Sequence, residues 1–201
     1  MGTVYVIDDD ESVQRALTRL IRSAGYEVIS FSSADEFLQR RPADSPSCLV
    51  LDINMPGLTG MDLQDALVSA GLTLPIIFIT GQADVPVTVK AMKRGALDFL
   101  LKPFQDVDLL AVIRQAIEKD IRQRKEAEEH SEIENRKNTL THREKEVFEL
   151  VITGMLNKQI AAELGTSEKT IKVHRARVME KMKANSLAEL VQFGERFKHS
   201  H

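Results

Sequence analysis

Four short apolar runs in the first half of the chain each stop at a polar residue. Val4–Ile7 runs into Asp8-Asp9-Asp10, Cys48–Leu51 into Asp52, Ile76–Ile79 into Thr80, and Leu97–Leu101 into Lys102. Continuous apolar runs of this length, alternating with helical patterns, are expected as central strands of a parallel sheet covered on both faces. All carboxyl ends of such a sheet lie on one edge, and ligands bind there where the strand order reverses. The pattern therefore predicts one small site holding three carboxylates, a hydroxyl and an ammonium group.

Strands are expected near 3–7, 27–31, 48–51, 75–79 and 97–101, with helices near 11–24, 34–40, 60–70, 84–94 and 105–121. Gly25, Gly71 and Gly95 each follow a helical stretch, where a left-handed cap is common. Five such strand–helix units make a doubly wound α/β domain over 1–121, with the less apolar Glu27–Phe31 strand at its edge. Asp10 is expected to cap the first helix.

Residues 122–137 are almost wholly polar, and the helical apolar spacing of Leu110, Ile113, Ile117 and Ile121 is lost there. This stretch reads as a solvated helical linker, or as a short coiled coil in which only Ala127 and Ile133 could form a seam. Residues 138–201 read as a small all-α domain of four helices. Thr141–Glu144 and Ser186–Glu189 look like capping boxes, Asn157 and Ser167 like N-caps, and Gly165 falls in a tight turn between two helices. Helix, short turn, helix is the geometry of a major-groove reader.

Charge divides along the same lines. Residues 1–121 carry 17 acids and 11 bases, the linker five of each, and residues 138–201 eight acids and 11 bases. An acidic front and a basic tail are suited to different partners. With 43% hydrophobic residues the chain can build real cores, and no run nears the roughly 18 apolar residues of a membrane span. There is no signal-like start, and the single cysteine, Cys48, reads as a buried inert thiol. A cytoplasmic protein without a membrane partner is expected.

Three ionised carboxylates in one cleft are mutually repulsive, by roughly 4 kcal/mol per pair at about 4 Å and an effective dielectric near 20. Hard oxygen donors with no His or Cys alongside favour Mg²⁺, with Asp9 and Asp52 as direct ligands and Asp8 as an outer acceptor. A hydroxyl and an ammonium facing that pair are what a phosphoryl group requires: Thr80 donates to one oxygen, Lys102 neutralises another and the cation holds the third. Asp52 then becomes the acceptor, since a carboxylate can attack phosphorus to form an acyl phosphate.

The motifs IDDD, LVLDINMPG, FITG and DFLLKPF resemble those of two-component response regulators: a flavodoxin-like receiver followed by a LuxR/FixJ-type helix-turn-helix. The resemblance implies phosphorylation of Asp52 by a sensor histidine kinase and an acidic pair at Asp8 and Asp9. It also implies Mg²⁺ ligation by the main-chain carbonyl of Asn54, and a cis Lys102–Pro103 bond. The switch aromatic is Phe99, where many receivers have Tyr, so a switch here must work by burial of the ring together with movement of the Thr80 hydroxyl. Homodimerisation on phosphorylation and an encounter with RNA polymerase follow from the same likeness. A phosphohydrolase would need a second Asp at position 54, where this chain has Asn. A flavin protein would want a Ser/Thr-rich loop at Asp8–Glu11. A regulator sensing a small molecule would need a large apolar pocket, and no nucleotide-binding GxxxxGK[ST] loop is present.

Segment 168–183 carries six bases and two acids. Ile171, Val178 and Met182, with His174 between them as a packed, hydrogen-bonded histidine, mark its buried face. Lys169, Lys172, Val173 and Ala176 lie opposite, flanked by Arg175 and Arg177. By the helix-turn-helix likeness Lys172, Val173 and Ala176 would face base edges, and Asn157, Lys158, Lys169, Thr170, Arg175 and Arg177 would meet phosphates of double-stranded DNA.

Overall fold

The computed structural model describes residues 2–40, 44–82 and 85–198. The chain divides into two compact units, Met1–Arg124 and Lys125–His201. The first alternates strands and helices: β1 (Thr3–Ile7), α1 (Glu11–Ser23), β2 (Glu27–Phe31), α2 (Ala34–Leu38), β3 (Ser47–Asp52), α3 (Gly60–Ser69), β4 (Ile76–Thr80), α4 (Val85–Lys93), β5 (Asp98–Leu101) and the start of α5 (Asp106–Asn138). The expected first residue of the fourth helix, Asp84, lies outside the described residues, as do His199–His201 of the expected last domain.

All five strands are parallel in the order β2-β1-β3-β4-β5, so the order reverses between β1 and β3. Alternate strand residues feed two cores. Tyr5, Ile7, Leu49, Leu51 and Phe78 meet Phe37 of α2, Leu63 and Leu67 of α3 and Ala91 of α4. Val4, Val6, Cys48, Val50, Ile77 and Ile79 meet Leu17 and Ile21 of α1 and Leu109, Ile113 and Ile117 of α5. Period-two alternation thus places α1 and α5 on one face and α2–α4 on the other. The Cys48 thiol is fully buried, and that burial pushes its pKa far up, which makes it inert.

Two details depart from the sequence expectation. β5 is an edge strand rather than a central one, and its residues are only partly buried, with Leu101 46% exposed. The helix expected near 105–121 runs on without a break through the expected helical linker to Asn138, and the expected stripe loses Ile121, which is exposed while Leu109, Val112 and Ala116 are buried. Helical i,i+4 ion pairs support the polar stretch: Arg124 with Asp120, and Arg136 with Glu132.

The second unit holds the end of α5 with α6 (His142–Val151), α7 (Asn157–Glu163), α8 (Glu168–Met182) and α9 (Leu187–Lys198). Its core gathers Val147, Phe148, Ile160, Ile171, Val178, Met182 and Leu190. Ile133 is buried in this core, whereas Ala127 is exposed, so the two residues of the possible coiled-coil seam have different environments. Thr141 and Glu144 form the expected capping box. Glu144 is itself buried, and its carboxylate accepts from Lys181 Nζ at 2.6 Å, which holds its pKa below the ordinary range. At the other expected box Ser186 accepts from the backbone N–H of Glu189 as expected, while the Glu189 side chain accepts from the backbone N–H of Asn185.

Candidate phosphoryl-transfer site and nucleic-acid surface

The ends of β1, β3, β4 and β5 converge as their register requires. One carboxylate oxygen from each of Asp8, Asp9 and Asp52 lies within 4.8 Å of the other two. Asp8 and Asp52 are buried and Asp9 is exposed, so the cluster opens to solvent on one side. Lys102 Nζ donates to Asp8 Oδ2 at 2.7 Å and stands 3.5 Å from Asp52 Oδ2. The other oxygen of Asp8 accepts from the backbone N–H of Asp10 at 2.9 Å. Asp52 Oδ1 is buried and has no hydrogen-bond partner among the described residues.

Burial raises the pKa of Asp52; the nearby Lys102 ammonium opposes the shift and the Asp8 charge adds to it. An oxygen in this state is costly unless something arrives to use it. The donors are hard carboxylate oxygens without sulfur or imidazole, a set that suits Mg²⁺. Asp10 stands apart from this chemistry. As expected, it caps α1 by accepting from the N–H groups of Ser12 and Val13, which lower its pKa.

Thr80 ends β4 with its hydroxyl 3.2 Å from Asn54 Nδ2, 3.3 Å from the carbonyl of Gln82 and 3.3 Å from the backbone N–H of Gln82. Phe99 is half-buried. It shares a cavity of about 110 Å³ with Ile53, Asn54, Thr80, Gln82 and Val87. The Lys102–Pro103 bond is cis.

Two residues that shape the site escaped the sequence reading. Gln14 of α1 donates through Nε2 to the carbonyls of Asp8 and Phe31, joining the ends of β1 and β2. Gly60 opens α3 against the end of β3, and a Cβ there would fall 2.4 Å from the Asp52 carbonyl. Its signal was present in the chain, a second glycine three residues after Gly57, but only the structure separates the two: Gly57 has open space and a left-handed φ of +80°, whereas Gly60 has no room for a side chain.

In the second unit α7 and α8 are joined through Leu164, Gly165, Thr166 and Ser167, with Gly165 at φ +61°. Ser167 caps α8 by accepting from the N–H of Thr170, and its hydroxyl lies 2.8 Å from that of Thr170. Lys158, Lys169, Thr170, Lys172, Val173, Ala176 and Arg177 are exposed. His174 is partly buried, but its Nδ1 has no hydrogen-bond partner among the described residues, contrary to the expected bonded histidine. Asn157 is not a cap either. Leu156 holds that position, and the Asn157 side-chain oxygen is taken by Arg175 Nη1 at 2.9 Å.

No helix among the described residues is long and apolar enough to cross a membrane. Residues 4–114 match the response regulator receiver domain, and residues 138–193 the bacterial regulatory proteins of the luxR family. The chain is 49% identical over 192 residues to Nodulation protein W of Bradyrhizobium diazoefficiens, covering 96% of this chain and 85% of that protein. It is 45% identical to the response regulator protein TodT of Pseudomonas putida, over 99% of this chain and 88% of the relative. The solved structure of the response regulator StyR is 46% identical and superposes with a TM-score of 0.85, covering 97% of this chain and 98% of that one. Full-length FixJ from B. japonicum is 43% identical with a TM-score of 0.60, over 100% and 98% of the two chains. The acidic strand-end cluster and the helix-turn-helix thus sit in a chain that belongs to the response regulators, with a receiver domain followed by a LuxR-type DNA-binding domain.

Proposed function

We propose that Asp52 accepts a phosphoryl group from a sensor histidine kinase and that this event governs dimerisation and DNA binding. The observation that carries the reading is Asp52 itself: a buried carboxylate with one oxygen unpartnered, beside two further carboxylates and within 3.5 Å of an ammonium group. An Asp52 oxygen attacks the phosphorus of the donor's phosphohistidine. The P–O bond forms as the P–N bond breaks, and the imidazole leaves with the electron pair. Lys102 neutralises one phosphoryl oxygen, and the Thr80 hydroxyl donates to another after leaving Gln82. Asp8, Asp9, Asp52 and the main-chain carbonyl of Asn54 would hold Mg²⁺, which when bound offsets the negative charge gathered on the carboxylates and the phosphoryl oxygens.

The acyl phosphate brings about −1.5 to −2 charges to the end of β3. Movement of Thr80 leaves space beside Phe99, whose ring can enter the cavity the two residues share. The α4–β5 surface next to them exposes Val85, Val89, Met92 and Leu101, an apolar face suited to a second copy of the chain. Half-sites one helical turn apart ask for such a dimer. On DNA, Lys172, Val173 and Ala176 would face bases, Lys158, Lys169, Thr170 and Arg177 phosphates, and RNA polymerase would read the result. A regulator reading DNA in this way would work in the cytoplasm. We take 1–121, 122–137 and 138–201 as receiver, linker and DNA-binding region. Incubation with acetyl phosphate and Mg²⁺ should raise the intact mass by one phosphoryl group, and Asp52→Asn should abolish the increase. An unchanged wild-type mass would overturn the reading.

A further inference from the structure

The reach of Arg175 does not match that of its neighbours. Lys169, Lys172 and Arg177 on the same helix are exposed, whereas Arg175 is partly buried and donates from Nη1 to Asn157 Oδ1 at 2.9 Å. The bond joins α8 to the first residue of α7 across the turn, 18 residues apart in sequence. Asn157 gains no capping role from it, since Leu156 occupies the cap and its N–H is satisfied by Gln159 Oε1 at 2.8 Å. What the bond does settle is the state of the Asn157 carboxamide. With the oxygen held by a cation, the amide cannot flip without losing a charge-assisted bond, and Nδ2 has no protein partner among the described residues.

We infer that Arg175 is a positioning residue, which fixes Asn157 so that its Nδ2 amide donates to a DNA phosphate and the α7–α8 spacing is kept. The inference rests on the reading of this unit as a DNA binder, and it divides the phosphate set expected from sequence. Lys158 and Arg177 supply counter-charge, Asn157 supplies a neutral oriented donor, and Arg175 acts only through Asn157. Neutral donors release no counterions, so the two kinds of contact separate in salt dependence.

The test uses the full-length chain, treated with acetyl phosphate and Mg²⁺, on a fluorescent mixed-sequence 30-base-pair duplex, a length of about three helical turns. Affinity is measured against salt, beside the melting temperature. Lys158→Ala is the control for the underlying reading: its slope should fall by about 0.9. A wild type without salt-dependent binding would defeat the DNA-binding reading itself, whatever Arg175 does. Given that control, Arg175→Ala and Asn157→Ala should each weaken binding about tenfold with slopes near wild type, as expected for loss of one charge-assisted bond. The double variant should be no weaker than the poorer single one. Asn157→Asp keeps an acceptor for Arg175 but removes the donor, so melting should hold while binding falls. A slope loss near 0.9 for Arg175→Ala, additive single effects, or unimpaired binding by Asn157→Asp would each overturn the inference.

Discussion

The strand-end cluster of the first unit and the α8 surface of the second both depend on charge, but they hold it differently. In the cluster, Asp8, Asp52 and Lys102 share a largely buried space, where burial and the Asp8 charge raise the pKa of Asp52 and the Lys102 ammonium opposes them. On α8 Lys169, Lys172 and Arg177 stand apart in solvent. Buried, coupled charges make a site that changes state, because adding one group alters all its neighbours. Exposed, separated charges make a surface that adds up contacts and weakens with salt. The two parts of the chain are suited to signal and readout respectively.

The largest departure from this division is the Glu144–Lys181 pair, a buried carboxylate in the unit otherwise ruled by exposed charge. Lys181→Ala leaves Glu144 buried without its cation, holding the capping-box N–H of Thr141, and we expect a loss of about 3 kcal/mol in urea unfolding of the second unit. The folded pKa of Glu144 lies below its unfolded value. Its stabilisation is therefore present above the ordinary carboxylate range and lost as pH falls through the lowered value, and Glu144→Gln should flatten that acid limb. An unchanged acid limb would mean the pair does not anchor this fold.

Within the α8 surface, Lys172→Ala should cost about 1–3 kcal/mol on a preferred sequence and little on random DNA. Lys158→Ala should weaken both equally. Equal losses for Lys172→Ala would move that residue to the phosphate set. In the first unit Phe99→Ala should remove phosphorylation-dependent dimerisation, read by sedimentation, while phosphoryl uptake by mass continues. Asp52→Asn tests the cluster from the stability side. Since burial raises the folded pKa of Asp52, its ionised form weighs against folding at neutral pH. The variant should be the more stable there, with the gain vanishing below the ordinary carboxylate range. The smallest effect is at Lys183, which closes α8 in the left-handed region at φ +53°. Lys183→Gly should stabilise the second unit by up to about 1 kcal/mol, measured by thermal melting.

Much of the first unit could be read from the sequence because parallel strands turn a one-dimensional pattern into a shared edge. Asp8, Asp52, Thr80 and Lys102 each follow an apolar run, and runs in register must bring their ends together. Gln14 and Gly60 were hidden because their roles lie in bonds and clearances to residues on other elements. Asn157 was misread as a cap because a sequence gives its local preference but not the Arg175 guanidinium that claims its oxygen. That α5 runs unbroken through the expected helical linker has a similar reason. Its buried apolar stripe fades after Ile117, but i,i+4 ion pairs carry the helix on, and Ile133 finds a core supplied by residues that come later in the chain.

One covalent change in the first unit is expected to be felt by the second. The direct measurement is duplex DNA affinity of the full-length chain with and without acetyl phosphate, for wild type and Asp52→Asn alike. A coupling of 1–3 kcal/mol, typical of such switches, predicts wild-type affinity rising about 5- to 150-fold while Asp52→Asn stays at the untreated value. Equal affinities for phosphorylated wild type and Asp52→Asn would contradict it.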